Sequence, residues 1–124
     1  DLLLHLGFDL SKNKVEIYCT DLKAAIKLFG GNKQLAISLQ SKINSIKAAV
    51  VLKDIIVIKN NNFHKLEGNL NGYFAIDVKT RKDPWRIIFR PLDEEYSIFV
   101  PCHIDEISSI VKCVEIKEVS KHYE

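Results

Sequence analysis

The stretch "KTRKDPWRIIFRP", residues 79–91, joins the chain's single tryptophan to a short apolar run and to five Lys or Arg residues. A run rich in β-branched and aromatic residues is typical of a β-strand, in which successive side chains face opposite ways. The strand would therefore present an apolar face and a face with two arginines: Trp85, Ile87 and Phe89 on the first, and Arg86, Ile88 and Arg90 on the second. We expect the apolar face in the core and the arginines on the open side of a sheet.

Two segments upstream carry apolar residues at spacings of three and four, the pattern of an amphipathic helix. The first runs from Val15 to Phe29 and is followed by Gly30-Gly31, a typical helix stop. The second follows Asn32, a favourable N-cap residue. Its apolar stripe comprises Leu35, Ala36, Leu39, Ile43, Ile46 and Ala49/Val50. Two glycines between two helices indicate an antiparallel helical hairpin.

Other segments predict extended structure. Residues 2–10 alternate loosely and predict a first strand, and residues 110–119 predict the last one. Between them, "FHKLEG" and "YFAIDV" flank "NLNG", a cluster suited to a hairpin turn, and residues 96–100 form a less distinct extended piece. The segment "VVLKDIIVI", residues 50–58, has the composition of a strand, but its position after a helix also permits a helical turn.

This order of elements predicts an α+β fold with a two-helix hairpin packed on one face of a mainly antiparallel sheet. A length of 124 residues, of which 47% are hydrophobic, suits a single domain over residues 1–124. The N-terminal apolar run lacks a basic leader and is too short to cross a bilayer, so we expect neither a targeting segment nor a membrane partner.

Charge is distributed unevenly along the chain, although the net charge is only +2. Residues 59–90 carry seven Lys or Arg and three Asp or Glu, whereas residues 91–124 carry three and eight. This asymmetry suggests a polyanion or another charged partner, although a solvated charged face more often gives the same count. Three cysteines without CxxC spacing predict neither a disulfide framework nor a zinc knuckle, and fit a reducing cytoplasm.

The sequence contains no P-loop, GxGxxG, HExxH or GxSxG motif. Cleavage of RNA by its own 2′-hydroxyl needs only a base, an acid and cations that stabilise charge on the phosphate. Side chains able to do this are present at His64, Lys65, Arg86, Arg90 and the terminal His122-Tyr123-Glu124. For each of them taken alone, a surface residue without a catalytic role is the competing interpretation.

Four stretches carry a resemblance to a known family: "LQSKINSIKAAVVLKDI", "FHKLEGNLNGYFAIDV", "PWRIIF" and "CVEIKEVSKHYE". Together they resemble the HigB-like branch of the RelE/ParE toxin superfamily, from about residue 12 to the end of the chain. The most specific parts are the H-K-L-x-G entry to the hairpin turn and the W-R-I-x-F strand.

The resemblance implies a RelE-like fold and a toxin of a type II toxin–antitoxin system, neutralised by a cognate helix-turn-helix antitoxin. HigB-like toxins are ribosome-dependent mRNA endonucleases that cut the codon in the A site without a metal or other cofactor. The implied partners are therefore the antitoxin, the ribosome and mRNA, in the cytoplasm. The resemblance also implies that Val15–Phe29 is one helix and that "VLKDI" is a short helical turn.

The resemblance further assigns roles to individual residues. His64 and Lys65 match a catalytic basic position in the hairpin, and Arg86 matches an arginine that binds the phosphate. The family often ends in Asp-Tyr-His, so Tyr123 keeps the tyrosine, a base or a stacking platform, while His122 stands where Asp is usual. Because Glu124 replaces the final His, the identity of the general acid stays open. The remaining cations would bind RNA: Lys79, Arg81, Lys82 and Arg90.

Two other functions remain open on the same scaffold. One is a non-nuclease inhibitor of DNA gyrase, as in the ParE branch of the superfamily. The other is a degenerate toxin that acts only in a repressor complex with its antitoxin on DNA.

Overall fold

The structure, a computed structural model, describes residues 2–4, 8–9 and 14–121. Within these residues the strands are β1 (Leu2–Leu4), β2 (Phe8–Asp9), β3 (His64–Lys65), β4 (Phe74–Asp77), β5 (Trp85–Leu92) and β6 (Cys113–Lys121). They form one sheet in the order β2-β1-β6-β5-β4-β3, and every neighbouring pair is antiparallel. The helices are α1 (Lys14–Thr20), α2 (Leu22–Leu28), α3 (Lys33–Ala48), α4 (Lys53–Ile56) and α5 (Ile104–Ile107). The predicted α+β class is confirmed.

Helix α3 follows the sequence prediction closely. The Oδ1 atom of Asn32 accepts a hydrogen bond from the backbone N–H of Leu35 at 3.1 Å, which caps the N-terminus. Gly30 and Gly31, with φ of 62° and 94°, reverse the chain before it in a conformation that glycine adopts without strain. The buried residues of α3 are those of the predicted stripe: Leu35, Ala36, Leu39, Ile43 and Ile46.

The single helix predicted over Val15–Phe29 is wrong, because the chain breaks at Asp21 into α1 and α2. Asp21 has extended backbone angles, φ −120° and ψ 114°, and its carboxylate accepts from the N–H of Lys23 at 3.1 Å. Aspartate favours this capping role over a helix interior, since its short side chain can bond nearby backbone donors.

The structure corrects the single strand predicted over residues 2–10 and resolves the ambiguous segment 50–58. The strand predicted over residues 2–10 is two short antiparallel strands, β1 and β2, with Leu4 opposite Phe8; loose alternation does not distinguish one strand from two. Residues 53–56 form the helical turn α4, so their strand-like composition misleads. The carboxylate of Asp54 accepts from the N–H groups of Val50 and Val51 at 3.0 and 3.2 Å, which satisfies donors at the start of the turn.

The main core lies between the helices and one face of the sheet. Ile87 and Phe89 of β5 are buried there, and Trp85 packs edge-on against Phe29 of the helical layer, with ring centroids 4.8 Å apart. The opposite face is not fully open, because Leu66, Leu70 and Tyr73 pack over Ala75 and Ile88 in a second, smaller cluster. Predicted extended structure at residues 96–100 amounts to one bridge, between Leu92 and Ile98. Within the described ranges, no helix has the length and apolar character needed to cross a membrane.

Candidate functional site

Arg86 lies on the face opposite the helices, as alternation predicts, but it does not point into solvent. Its side chain is 8% exposed, and its Nε atom is 3.1 Å from Oδ1 of Asp77, which is 1% exposed. Its Nη1 atom donates to the carbonyl oxygens of Asp83 and Trp85 at 2.7 and 2.8 Å. The expectation of an exposed guanidinium is therefore wrong, because a buried carboxylate on the neighbouring strand requires a cationic partner. The predicted role of Arg86 at the phosphate stays a prediction.

Asn62 connects the predicted site residues to one another. Its backbone is left-handed, with φ 49° and ψ 47°, a conformation that asparagine tolerates better than most residues. Its carbonyl oxygen accepts from Nδ1 of His64 at 2.8 Å, and its Oδ1 accepts from Nη2 of Arg81 at 3.2 Å. Its Nδ2 donates to Oδ1 of Asp77 at 3.4 Å. One asparagine thus contacts the histidine, an arginine and the buried ion pair.

The contact with Asn62 selects the tautomer of a neutral His64. Because a carbonyl oxygen can only accept, Nδ1 must carry a proton, and a neutral imidazole then has its lone pair on Nε2. This tautomer is the one that a base acting through Nε2 needs. In this conformation the Nε2 atom is itself buried. His64 pairs with Ala75 of β4, two residues from Asp77, so the ring lies on the same sheet face as the ion pair.

An open groove of about 550 Å³ lies beside this network. Its described lining consists of Lys59, Asn60, Asn62, Asp77, Lys79, Thr80 and Arg81. The charge of Asp77 is balanced by Arg86, so the lysines and Arg81 make the groove cationic. Lys79 reaches Gln34 at 3.4 Å, and Lys82 is exposed in the same turn. The structure therefore brings three of the four predicted RNA-binding residues together on one turn. We call the groove lined by the seven residues above, which do not include Lys82, the cationic groove.

Other predicted site residues lie elsewhere. Lys65 follows His64 on β3 and projects from the other face, exposed, with Nζ 4.0 Å from the carboxylate of Glu67. Arg90 lies four residues beyond Arg86 on β5, and its Nε atom is 2.6 Å from Oε1 of Glu115. This ion pair occupies the guanidinium group that was expected to be free for phosphate, and binding of RNA at Arg90 stays a prediction. His122 and Tyr123 lie outside the described residues.

Four residues of the site were missed at the level of sequence: Lys42, Asn61, Asn62 and Asp77. Asn61 is buried and donates from Nδ2 to the carbonyl oxygen of Ile55 at 3.0 Å, while its Oδ1 accepts from Nζ of Lys42. Burial lowers the pKa of Lys42, and the carboxylate of Asp77 opposes that shift. A run of three asparagines, residues 60–62, directly before "FHKL" was the available signal for Asn61 and Asn62. Lys42 and Asp77 carry no such signal, since each is one polar residue of a helix or strand.

In the described part of the chain, no group of three or more His, Cys, Asp and Glu side chains is arranged to hold a metal ion. Comparison with protein-family models, with curated proteins and with solved structures finds no match to this chain in any of the three.

Proposed function

We propose that the chain has a RelE-like fold and is the toxin of a type II toxin–antitoxin system, acting as a ribosome-dependent mRNA endonuclease. The observation that carries this proposal is the cationic groove, which adjoins His64 through Asn62. Cations along a groove suit a phosphate backbone, and a histidine beside it suits proton transfer. The resemblance of the H-K-L-x-G and W-R-I-x-F stretches to HigB-like toxins supports the same function.

In the proposed reaction, the ribose 2′-oxygen attacks the adjacent phosphorus while its proton passes to Nε2 of His64. The bond from phosphorus to the 5′-oxygen breaks, and that oxygen takes a proton from a general acid, whose identity the proposal leaves open. The products are a 2′,3′-cyclic phosphate and a 5′-hydroxyl. Because Nε2 is buried in this conformation, the proposal requires that bound RNA displaces the groups covering it.

The cations divide between two roles in this proposal. Lys59, Lys79 and Arg81 bind the phosphates on either side of the cut, since they line the groove. Arg86 instead positions Asp77, which in turn accepts from Asn62. The cognate antitoxin, a helix-turn-helix protein, and the translating ribosome are the proposed partners in the cytoplasm.

The test is controlled expression of the chain in growing bacterial cells, followed by mapping of mRNA 5′ ends. We expect new 5′-hydroxyl ends within translated codons. The Lys79→Ala/Arg81→Ala variant should reduce cleavage roughly tenfold or more, because each lost charged hydrogen bond contributes about 1 kcal/mol or more. Its matched control is Lys23→Ala/Lys27→Ala, which removes two exposed cations from α2. Translated mRNA without new 5′ ends would contradict the proposed endonuclease activity.

A second candidate is favoured by the ion pair of Arg86 and the burial of Nε2 in His64. Both observations suit a protein that binds its target without cutting RNA, as this chain would if it were an inhibitor of DNA gyrase. Under this alternative, the same expression experiment gives stalled replication and a DNA-damage response with intact mRNA. Expression without any effect on growth would instead favour the degenerate toxin.

A further inference from the structure

Three cavities meet at Phe99, on the segment between β5 and α5. The largest, about 310 Å³, is lined by Leu92, Asp93, Glu94, Phe99, Ile110, Lys112 and Cys113. Two smaller ones, of about 80 and 240 Å³, also include Phe99 in their linings. The largest lies at the lower end of the size range of ligand sites and can hold one or two large side chains.

Large apolar side chains that are exposed to solvent lie beside each of these cavities. Ile110 borders the largest cavity and is 64% exposed, Ile98 borders the smallest, and Val100, 80% exposed, borders the third. Because Phe99 lines all three cavities, the exposed groups are arranged around this one side chain. We call Ile98, Phe99, Val100, Ile110 and their cavities the Phe99 surface. Exposed apolar groups collected in this way mark sites of protein interaction more often than isolated ones do.

The charge at the rim of the largest cavity is negative. Residues 93–106 contain five Asp or Glu and no Lys or Arg, and both Asp93 and Glu94 line the largest cavity, with Lys112 opposite. Two cations border the smaller cavities, but Arg90 is paired with Glu115 and Lys65 lies beside Glu67. A partner with the opposite charge is therefore favoured, whereas a nucleic acid would be repelled.

We propose that the Phe99 surface is a docking site for a basic polypeptide segment of a partner protein. One or two large apolar side chains of that segment occupy the cavity between Phe99 and Ile110, and flanking Lys or Arg residues contact Asp93 and Glu94. A polypeptide fits better than a small ligand, since apolar groups extend over three cavities in succession. Interfaces of this kind have apolar anchors in pockets and charged rims. The inference is independent of any RNA chemistry.

The test is selection of a random 16-residue peptide library, displayed on phage, against the full chain. We expect enriched peptides with net positive charge and at least one large aliphatic or aromatic residue. Titration of the isotope-labelled chain with such a peptide should shift the NMR signals of residues 92–102 and 110–113. The Ile110→Ser variant should weaken binding roughly tenfold, and Glu94→Lys should weaken it further at low salt. Ile37→Ser on α3 is the matched control, since Ile37 is also exposed.

Several outcomes would overturn the inference. They are a selection that enriches no peptide, enriched peptides that are acidic, and binding that Ile110→Ser leaves unchanged. Sedimentation that reveals a dimer broken by Ile110→Ser, but not by Ile37→Ser, would assign the surface to a second copy of the chain and refute the basic segment. Loss of mRNA cleavage with intact peptide binding would affect only the proposed function.

Discussion

Substitution of Arg86 by alanine should destabilise the protein by about 3–5 kcal/mol, because it leaves a buried carboxylate without its cation. The partner, Asp77, is 1% exposed and lies 3.1 Å from the Nε atom of Arg86. The substitution also removes the donor that reaches the carbonyl oxygens of Asp83 and Trp85. For a domain of this length, such a loss corresponds to a fall in melting temperature of roughly 10–20 °C.

Two comparisons separate this effect from the general loss of an arginine. Arg90→Ala removes an ion pair from the same strand, but the Arg90 side chain is 29% exposed, so we expect a loss of only about 1–2 kcal/mol. The double variant Asp77→Val/Arg86→Met removes both charges, and its free energy of unfolding should exceed that of Arg86→Ala, since no buried charge is left alone.

Urea unfolding followed by tryptophan fluorescence provides the measurement. Trp85 is the only tryptophan and packs against Phe29, so its emission reports on the interface between helices and sheet. Far-ultraviolet circular dichroism should give the same midpoint. An Arg86→Ala variant no less stable than Arg90→Ala would refute the argument from burial. Loss of mRNA cleavage at unchanged stability would instead support the role at the phosphate that the sequence suggested.

Other predictions concern the backbone of Asn62 and the thiol of Cys19. Asn62→Ala should be less stable in urea than Asn62→Gly by about 1 kcal/mol, since both lose the same side-chain contacts and only alanine is strained at φ 49°; equal stabilities would contradict this. Burial raises the pKa of Cys19 from 9.0 to about 12, so the unfolded chain loses this proton at a lower pH than the folded one. The free energy of unfolding should therefore fall between pH 9 and pH 12, by up to about 1.4 kcal/mol per unit from this thiol. A Cys19→Ala variant should lack that component. An identical pH dependence in both proteins would contradict the prediction, because it would show that the pKa of Cys19 is the same in the folded and unfolded states.

Features set by neighbouring residues in the chain were predictable from the sequence. The stripe of α3 and its Asn32 cap depend on spacings of three and four and on one side chain. The burial of Ile87 and Phe89 follows from alternation along a single strand. The break at Asp21 was also a local signal, but the continuous apolar stripe on both sides of it favoured one helix over two.

Features set by pairing between strands were not predictable in the same way. Arg86 is buried because the register places it opposite Asp77, nine positions earlier in the chain, and no local pattern encodes that register. Similarly, the sheet face opposite the helices was expected to be open, but the segment that includes Leu66 and Tyr73 folds over it. The cationic groove forms where residues 59–62 meet the turn after β4, which only the tertiary structure brings together.

The central claim is that the cationic groove binds the backbone of single-stranded RNA. The most direct measurement is an NMR titration of the labelled chain with a short 2′-O-methyl RNA, which cannot be cut by the 2′-hydroxyl route. We predict shifts of the NMR signals of Lys59, Asn62, Lys79 and Arg81. The slope of log affinity against log salt concentration should be smaller in magnitude by roughly 1.4 in the Lys79→Ala/Arg81→Ala variant, because that variant loses two phosphate contacts. Shifts confined to other parts of the chain, or a slope unchanged by that variant, would contradict the claim.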